Sequence, residues 1–348
     1  MLNLAGGLVE RGIEVDMVLV RAEGAFLSAL DRRIRLVDLG ARRALAAFPA
    51  LLRYLRRERP QVLLSNLPHL NLLSIPARRL ACRGTRLILV EHNNLARNAA
   101  YGVRRWERLF PLAARLHYPH ADRVVAVSQG VADGLAALIG PRRGKMDIIY
   151  NPILSPGLEP LAAAGLDHPW FASGEPPVAL AVGRLTAVKD FPTLLRAFAR
   201  LRADRPARLL VLGEGELLEE LQALAGSLGI ADDVQFAGFD PNPYRFMKRS
   251  AVLALSSTWE GFGNVLVEAL ACGTQVVATD CPGGPAEILK NGEFGRLVPV
   301  GDAMALAAAL ADAIDRPLPP ESLRRRAADF SVAAALERYL PLLTGGAA

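Results

Sequence analysis

Two glutamates, eight residues apart, have the clearest chemical potential in this sequence. Glu260 lies in a glycine-rich loop and Glu268 in the second turn of the helix predicted after it; the string from Ser256 to Asp280 reads as strand end, loop, helix, glycine stop and strand. A carboxylate can accept hydrogen bonds from two neighbouring sugar hydroxyls. The helix-opening amides of Gly263, Asn264 and Val265 could bind an anion. Two glutamates at this spacing are by themselves more typical of a solvent-exposed helix face. The residues that surround them in the sequence are what favour a binding site.

A pair of cations occupies a second loop. Arg184 and Lys189 lie in the string Gly183-Arg-Leu-Thr-Ala-Val-Lys-Asp-Phe, which follows a predicted strand over residues 178–182. Two nearby cations suit a diphosphate, although loop cations are often plain surface charges. The turn Leu212-Gly-Glu-Gly ends another predicted strand, where ligands approach parallel sheets; an ordinary structural turn is the equal alternative.

A histidine follows a strand in the first half of the chain. His92 belongs to Val90-Glu-His-Asn-Asn and would lie at the carboxyl end of the strand predicted over residues 86–90. It could hydrogen-bond a sugar hydroxyl or orient an acceptor; a purely structural histidine is the alternative. Ser128, in Ala126-Val-Ser-Gln-Gly, is predicted to cap the N-terminus of the next helix rather than to act in catalysis.

The elements that must position these residues alternate between short apolar strands and longer helices. This alternation predicts parallel, doubly wound sheets. A break occurs at residues 154–177, which contain five prolines and three glycines and predict a linker. We therefore expect an N-terminal domain over residues 1–153, a second domain over 178–330, and a C-terminal helical segment, 331–348, that could pack on either. The predicted strands cover residues 14–20, 62–65, 86–90, 123–127, 178–182, 208–212, 234–236, 252–255, 275–278 and 295–298.

Composition narrows the function classes. The 348-residue chain has three cysteines without paired spacing, which argues against a disulfide framework or a zinc ribbon. We expect no secretory leader and no membrane span. Residues 1–150 carry 24 Lys and Arg against 12 Asp and Glu, and the remainder 17 against 23. The basic half suits an anionic surface or substrate, but 37 arginines against 4 lysines equally indicate compositional bias.

These strings together resemble the retaining glycosyltransferases of the GT-B fold, glycosyltransferase family 4, over nearly the whole chain. Glu260 and Glu268 match the family's Glu-x7-Glu motif. The resemblance implies an α/β protein with two facing Rossmann-like domains. It also implies that Glu260 contacts the donor sugar and Glu268 the nucleotide ribose, and that Arg184 and Lys189 neutralise the donor's pyrophosphate. His92 matches the active-site histidine. The implied donor-binding residues are Gly183, Arg184, Lys189, Gly213, Glu260, Gly261, Phe262, Gly263, Asn264, Val265 and Glu268.

The resemblance further implies the reaction. A sugar would move with retention from a nucleotide-sugar, with UDP as the commonest nucleotide, to a glycan or polyprenyl-linked acceptor in envelope polysaccharide assembly. His92, Glu260, Arg184 and Lys189 would be the catalytic residues, with no metal and no cofactor. We expect a cytoplasmic protein, peripheral at the inner face of the membrane through an anionic lipid surface, and no nucleic-acid partner.

Two other functions stay open. A nucleotide-sugar epimerase shares the architecture but lacks the Glu-x7-Glu string, and it would change a sugar without an acceptor. A non-catalytic protein that binds the nucleotide-sugar would show donor binding without turnover. Nicotinamide binding is disfavoured because no Gly-x-Gly-x-x-Gly follows an early strand.

One departure from the family concerns the N-terminus. In the family a strand and a glycine-rich loop precede the helix that corresponds here to residues 2–11. We therefore expect the first domain to lack its first strand and to be loosely held, and an upstream extension of roughly 15 to 25 residues to restore solubility and activity.

Overall fold

The computed structural model describes residues 1–348 except 25–26, 28–29, 96–108, 141–145, 156 and 346–348. The chain forms two compact units, one of residues 1–152 and 332–348 and the other of residues 153–331. The predicted linker therefore belongs to the second unit, and its residue 156 lies outside the described residues, as do residues 346–348 of the predicted C-terminal segment.

The first unit contains two parallel sheets. Its strands are β1 (Asp16–Leu19), β2 (Arg35–Asp38), β3 (Val62–Asn66), β4 (Arg86–Glu91), β5 (Arg123–Ala126) and β6 (Met146–Ile148). β1 pairs with β2, and the other four strands follow the order β3-β4-β5-β6. Between the described parts of these two sheets no ladder hydrogen bonds form. The missing first strand remains a prediction.

Helices surround these sheets. They are α1 (Leu2–Glu10), α2 (Phe48–Glu58), α3 (Pro68–Ala81), α4 (Phe110–His117) and α5 (Gln129–Ile139). α2 begins at Phe48 and places Pro49 in its first turn, where the missing N–H of proline costs nothing. Central strand β4 is fully buried from Leu87 to Val90, as expected for a parallel strand covered on both faces.

The second unit is built on one parallel six-stranded sheet. Its strands are β7 (Val178–Val182), β8 (Arg208–Leu212), β9 (Val234–Gly238), β10 (Val252–Leu255), β11 (Gln275–Thr279) and β12 (Arg296–Val298), in the order β12-β11-β10-β7-β8-β9. The chain runs outward from β7 through β8 to β9, then returns to the other side of β7 at β10. β7 and β10 thus flank the point where strand order reverses, and ligands of open α/β sheets bind at the carboxyl ends of such strands.

The helices of the second unit cover both faces of its sheet. They are α6 (Leu158–Ala163), α7 (Phe191–Asp204), α8 (Leu218–Ser227), α9 (Tyr244–Met247), α10 (Asn264–Cys272), α11 (Pro285–Ile288), α12 (Ala303–Asp315) and α13 (Pro320–Ala328). α7 packs against α12 and α10 against α13. The first pair forms a core around the fully buried Phe198 and Leu310. This core holds the sheet in place, and the sheet in turn positions the loops at the carboxyl ends of its strands.

The last helix returns to the first unit. α14 (Val332–Thr344) packs on α1. A Cβ atom added to Gly7 would lie 2.5 Å from Val332 Cγ1 and 2.8 Å from Leu336 Cδ1. The two helices approach closely at Gly7, and any larger residue there would force the Val332 and Leu336 side chains to shift.

Candidate functional site

The loop after β7 carries the two predicted cations. A short 3-10 turn over Ala187–Lys189 leads to Asp190, which has a positive φ of 44° and caps α7 by accepting a hydrogen bond from the Thr193 N–H. A left-handed aspartate is strained unless its surroundings hold it. Other contacts must therefore hold the backbone of Asp190 in this conformation.

Those contacts come from the loop after β10. Thr258 donates from both its backbone N–H and its Oγ1 to the carbonyl of Val188, at 2.8 and 3.1 Å. Ser256 Oγ donates to the carbonyl of Lys189 at 2.7 Å. These three hydrogen bonds join the two loops directly. They therefore fix the position of Lys189 relative to Glu260.

Lys189 and Glu260 meet in the structure. Lys189 Nζ lies 2.6 Å from Glu260 Oε1, and Ser257 Oγ donates to the same oxygen at 2.6 Å. The side chains of Lys189 and Glu260 are only 23% and 12% exposed. Sequence reasoning placed both residues in the donor site; the structure brings them into one charge-compensated group and adds Ser257. The Ser257 carbonyl in turn accepts from Thr279 Oγ1 at 2.6 Å.

Glycines let the loops approach one another. Gly213 has a φ of 143°, and a Cβ there would lie 1.9 Å from the Gly183 carbonyl oxygen. A Cβ on Gly283 would lie 2.1 Å from the Glu260 carbonyl oxygen, and one on Gly284 2.0 Å from that of Phe262. Sequence reasoning missed Gly283 and Gly284, although a Pro-Gly-Gly string just after a buried strand is a signal that could have found them.

Arg184 differs from Lys189 in having no side-chain partner among the residues that the structure describes. Its side chain is exposed, and no hydrogen bond or ion pair joins it to another side chain within the described residues. It lies directly after Gly183, at the carboxyl end of β7. A guanidinium in this position retains its full hydrogen-bonding capacity for an incoming anion.

Glu268 lies in the second turn of α10, as predicted. Burial raises the pKa of its carboxyl group to about 7. No ion pair or hydrogen bond from a described side chain compensates it. Burial, and then the charge of Glu268, raise the pKa of the Tyr244 hydroxyl. Glu268 is thus a partly buried carboxylate without a cation partner among the described residues, in contrast to Glu260.

The start of α10 connects the two glutamates. Gly263 caps the helix with a φ of 95° and Asn264 is its first residue, so Gly261 to Val265 form the turn between loop and helix. The Phe262 ring is buried and packs edge-on against Phe330 at a centroid distance of 5.5 Å. This ring anchors the turn.

His92 lies in the first unit, directly after β4. Its Nε2 lies 3.2 Å from Asn66 Oδ1; since an amide oxygen only accepts, Nε2 carries the proton. Burial, with a smaller contribution from the Met1 amino group, lowers the pKa of His92 to about 4. The imidazole is therefore neutral near pH 7, with Nδ1 able to accept a hydrogen bond. Ser128 caps α5, as predicted, by accepting from the Val131 N–H at 3.2 Å.

Family models cover most of the chain. The model described as "Glycosyltransferase Family 4" matches residues 1–153, and "Glycosyl transferases group 1" matches residues 167–330. The lipopolysaccharide core biosynthesis glycosyltransferase LpsE of Rhizobium meliloti is 33% identical over 252 residues, which are 70% of either chain. The chain belongs to glycosyltransferase family 4. Its two units have the GT-B type of α/β fold, as the sequence predicted.

Other similar proteins match over a shorter segment or at lower identity. A Campylobacter jejuni protein named N-acetylgalactosamine-N,N'-diacetylbacillosaminyl-diphospho-undecaprenol 4-alpha-N-acetylgalactosaminyltransferase is 39% identical over 185 residues. The match spans 53% of this chain and 48% of that protein, so this chain spans about half of the relative's length. Among solved structures, Anabaena HepE in complex with UDP and glucose has a TM-score of 0.78 at 21% identity, covering 99% of this chain and 94% of HepE. That likeness shows the fold.

Within the described residues, no group of three or more His, Cys, Asp or Glu side chains could hold a metal ion. None of the helices in the described part is long and apolar enough to cross a membrane.

Proposed function

We propose that this family 4 member transfers a sugar from a nucleotide-sugar to a glycan or lipid-linked acceptor in envelope polysaccharide assembly. The observation that carries the proposal is that Arg184 after β7 and the partly buried Glu268 on the helix after β10 have no side-chain partner among the described residues, and that β7 and β10 flank the strand-order reversal of one sheet. A diphosphate and a ribose present the complementary groups. The HepE complexes contain UDP and, in one structure, UDP-glucose, which supports UDP as the nucleotide.

The proposed chemistry is leaving-group stabilisation with retention of configuration. Charge grows on the diphosphate as the glycosidic bond breaks, so cations bound more strongly in that state accelerate the step. Arg184 would bind the diphosphate directly. Lys189 would share its charge between the diphosphate and Glu260, which in turn would orient the donor sugar. The departing diphosphate oxygen would take the acceptor proton, and Nδ1 of the neutral His92 would accept one hydrogen bond from a sugar hydroxyl.

The acceptor proposal is drawn from the relatives. The name of the Campylobacter protein describes a sugar linked through a diphosphate to undecaprenol, and LpsE is named for lipopolysaccharide core biosynthesis. We propose a polyprenyl-diphosphate-linked or lipopolysaccharide-type acceptor for this chain. A diphosphate on the acceptor suits the excess of basic residues in positions 1–150.

The test is a turnover assay with a panel of UDP-sugars and a short polyprenyl-diphosphate-linked saccharide. Transfer that is unchanged by EDTA supports a metal-independent glycosyltransferase; transfer abolished by EDTA and restored by magnesium contradicts the metal independence. Conversion of the UDP-sugar without any acceptor would identify an epimerase. Donor binding without turnover across the panel would favour a non-catalytic binding protein.

An anionic membrane surface is the proposed location of the acceptor. Leu109, Leu112 and Leu116 are 64%, 58% and 61% exposed. At 100° per residue they fall within about 60° of one face of α4 and the residue before it, beside the exposed Arg115. An apolar stripe flanked by basic side chains is the pattern of a helix that lies on an anionic bilayer.

Vesicle co-sedimentation tests the surface. Leu112→Glu should reduce binding to vesicles containing phosphatidylglycerol, and Leu161→Glu is the matched control, since Leu161 is an exposed leucine of the second unit. Equal binding of both variants and the parent, or binding independent of anionic lipid, would remove the membrane proposal without affecting the transfer proposal.

A further inference from the structure

Arg326 is a largely buried cation that none of the sequence motifs includes. It lies in α13, and its side chain is only 15% exposed, whereas the preceding residues Arg324 and Arg325 are exposed. Ordering a long arginine side chain costs conformational entropy, and burying its charge costs hydration. The contacts of Arg326 must therefore compensate this cost.

The guanidinium of Arg326 holds the end of a one-turn helix. Its Nε donates to the Ile288 carbonyl at 2.9 Å, and its Nη2 donates to the Glu287 carbonyl at 2.5 Å. These are the last two residues of α11, where backbone carbonyls have no donor within the helix. Nη1 donates to Asp329 Oδ2 at 2.6 Å. Because a single helical turn is too short to be stable by itself, these hydrogen bonds help to hold α11 in place.

The other end of α11 lies against the loop that carries Glu260. The Ile288 N–H donates to the Gly284 carbonyl at 2.8 Å. Gly284 approaches the Phe262 carbonyl so closely that a Cβ would lie 2.0 Å from its oxygen. The Glu260 N–H donates to the Pro282 carbonyl at 3.1 Å. Backbone contacts therefore run without a break from the last carbonyls of α11 to the Glu260 loop.

Aromatic rings connect Arg326 to the same loop by a second route. Arg326 Cζ lies 4.8 Å from the centroid of the Phe330 ring, which is a cation–π distance. Phe330 is fully buried and packs edge-on against Phe262, two residues after Glu260. The backbone route and the ring route thus both end on the segment from Glu260 to Phe262.

We propose that Arg326 is a positioning residue for Glu260: through α11 and the Phe330 ring, its guanidinium fixes the loop segment that presents the Glu260 carboxylate. The inference rests on the proposed contact of Glu260 with the donor sugar. The role depends on the planar fork of donors as well as on the charge. A lysine cannot replace it, because one ammonium group does not reproduce a fork that binds two neighbouring carbonyls.

Hydrogen–deuterium exchange of the full chain measures the loop directly. In Arg326→Gln and in Arg326→Lys, peptides that cover residues 258–263 should exchange about tenfold faster than in the parent, because hydrogen bonds from a charged group no longer oppose local opening. Exchange in Arg326→Gln at the parent's rate would overturn the inference. Exchange in Arg326→Lys at the parent's rate would overturn the requirement for the fork.

The matched control is Arg208→Gln. Arg208, at the start of β8, makes the same kinds of contact: an ion pair with Asp233, a hydrogen bond to the Asp232 carbonyl and a cation–π contact with Trp170. It lies at the amino end of its strand, away from the loops at the carboxyl ends. Arg208→Gln should leave exchange in residues 258–263 unchanged. Equal acceleration in both variants would show that any weakening of the unit loosens the loop, and would overturn a specific role for Arg326.

Turnover and nucleotide binding separate positioning from general stability. Arg326→Gln should lower the turnover number about 10- to 100-fold, the loss that a displacement of about 1 Å can cause. The affinity for UDP should stay unchanged, because UDP lacks the sugar that Glu260 would contact. In a Glu260→Gln background, Arg326→Gln should lower turnover little further, since both substitutions affect one contact.

Each other outcome has a defined meaning. A turnover number within about twofold of the parent's, a loss of UDP affinity as large as the loss of turnover, or fully additive losses with Glu260→Gln would overturn the inference. If the loop exchanges as expected in Arg326→Gln while the parent transfers no sugar, the proposed function fails and the positioning of the Glu260 loop by Arg326 stands.

Discussion

Glu268→Gln should stabilise the ligand-free protein above pH 7 while weakening nucleotide binding. The carboxyl group is partly buried without a cation partner among the described residues, and burial raises its pKa from 4.5 to about 7. Each pKa unit corresponds to about 1.4 kcal/mol, so the ionised side chain costs the folded state roughly 3 kcal/mol. Glutamine has nearly the same shape and carries no charge, which removes most of this cost.

The effect depends on pH in a fixed direction. Below pH 4.5 both the folded and the unfolded chain hold the proton, and the carboxyl group contributes no difference. Between pH 4.5 and 7 the folded state binds more protons than the unfolded state, so the free energy of unfolding falls as pH rises. The advantage of Glu268→Gln should therefore be small at pH 5 and reach its full size at pH 8.

Urea unfolding in a Trp106→Phe background provides the measurement. The remaining tryptophans, Trp170 and Trp259, both lie in the second unit and report on it. Glu293→Gln is the control, because Glu293 is an exposed glutamate of the same unit paired with Lys290; its effect should stay within about 0.5 kcal/mol.

Calorimetry with UDP completes the test. Loss of a charged acceptor should weaken binding by about 1.5 to 3 kcal/mol, roughly 10- to 100-fold. A glutamate kept for structure gives the opposite pattern, with lower stability and unchanged affinity. A Glu268→Gln protein that is less stable at pH 8, or that binds UDP as the parent does, would refute the assignment of Glu268 to the ribose.

Three further substitutions have distinct signatures. Arg184→Ala should lower the turnover number and leave the unfolding midpoint unchanged, because the side chain has no described partner; a lower midpoint would reveal a structural role. Lys189→Ala should lower both, since it leaves the largely buried Glu260 carboxylate without its cation, at a stability cost of about 1 to 3 kcal/mol in urea unfolding; full activity would contradict the site. Gly213→Ala should cost more than about 1 kcal/mol in the same assay, because its Cβ would meet the Gly183 carbonyl; an unchanged midpoint would contradict that close approach.

The strands that sequence reasoning predicted are those with continuous buried apolar runs. β7, β8 and β10 have the predicted bounds, and β4 differs by one residue. These strands are central and covered on both faces, so their composition alone is informative. β2 was missed because its residues are mostly exposed, in the sequence Arg35-Leu-Val-Asp. β6, with three half-buried residues at the edge of its sheet, gave no signal either.

Residues of the candidate site could be predicted where they belong to a sequence motif. Residues that reach the site only through tertiary packing could not be predicted. Glu260, Arg184 and Lys189 stand out as charges in glycine-containing loops. Ser257 and Gly283 do not, because a serine hydrogen bond or a close backbone approach between distant loops is a tertiary event without a local pattern. The contact between Lys189 and Glu260, 71 residues apart, is of the same kind.

Three glutamates with different surroundings show that residue type alone does not define function. Glu260 lies against an ammonium group and a hydroxyl, the fully buried Glu91 against the Tyr118 hydroxyl, and the partly buried Glu268 against no described partner. The first arrangement compensates a charge before any ligand arrives, the second is a carboxyl group whose pKa burial raises to about 7, and the third leaves a cost that hydrogen bonds from a ligand can offset. A carboxylate in the third state destabilises the ligand-free protein, which fits a role in binding rather than in folding. The proposed contact of Glu268 with the ribose predicts both higher stability of Glu268→Gln above pH 7 and weaker binding of UDP.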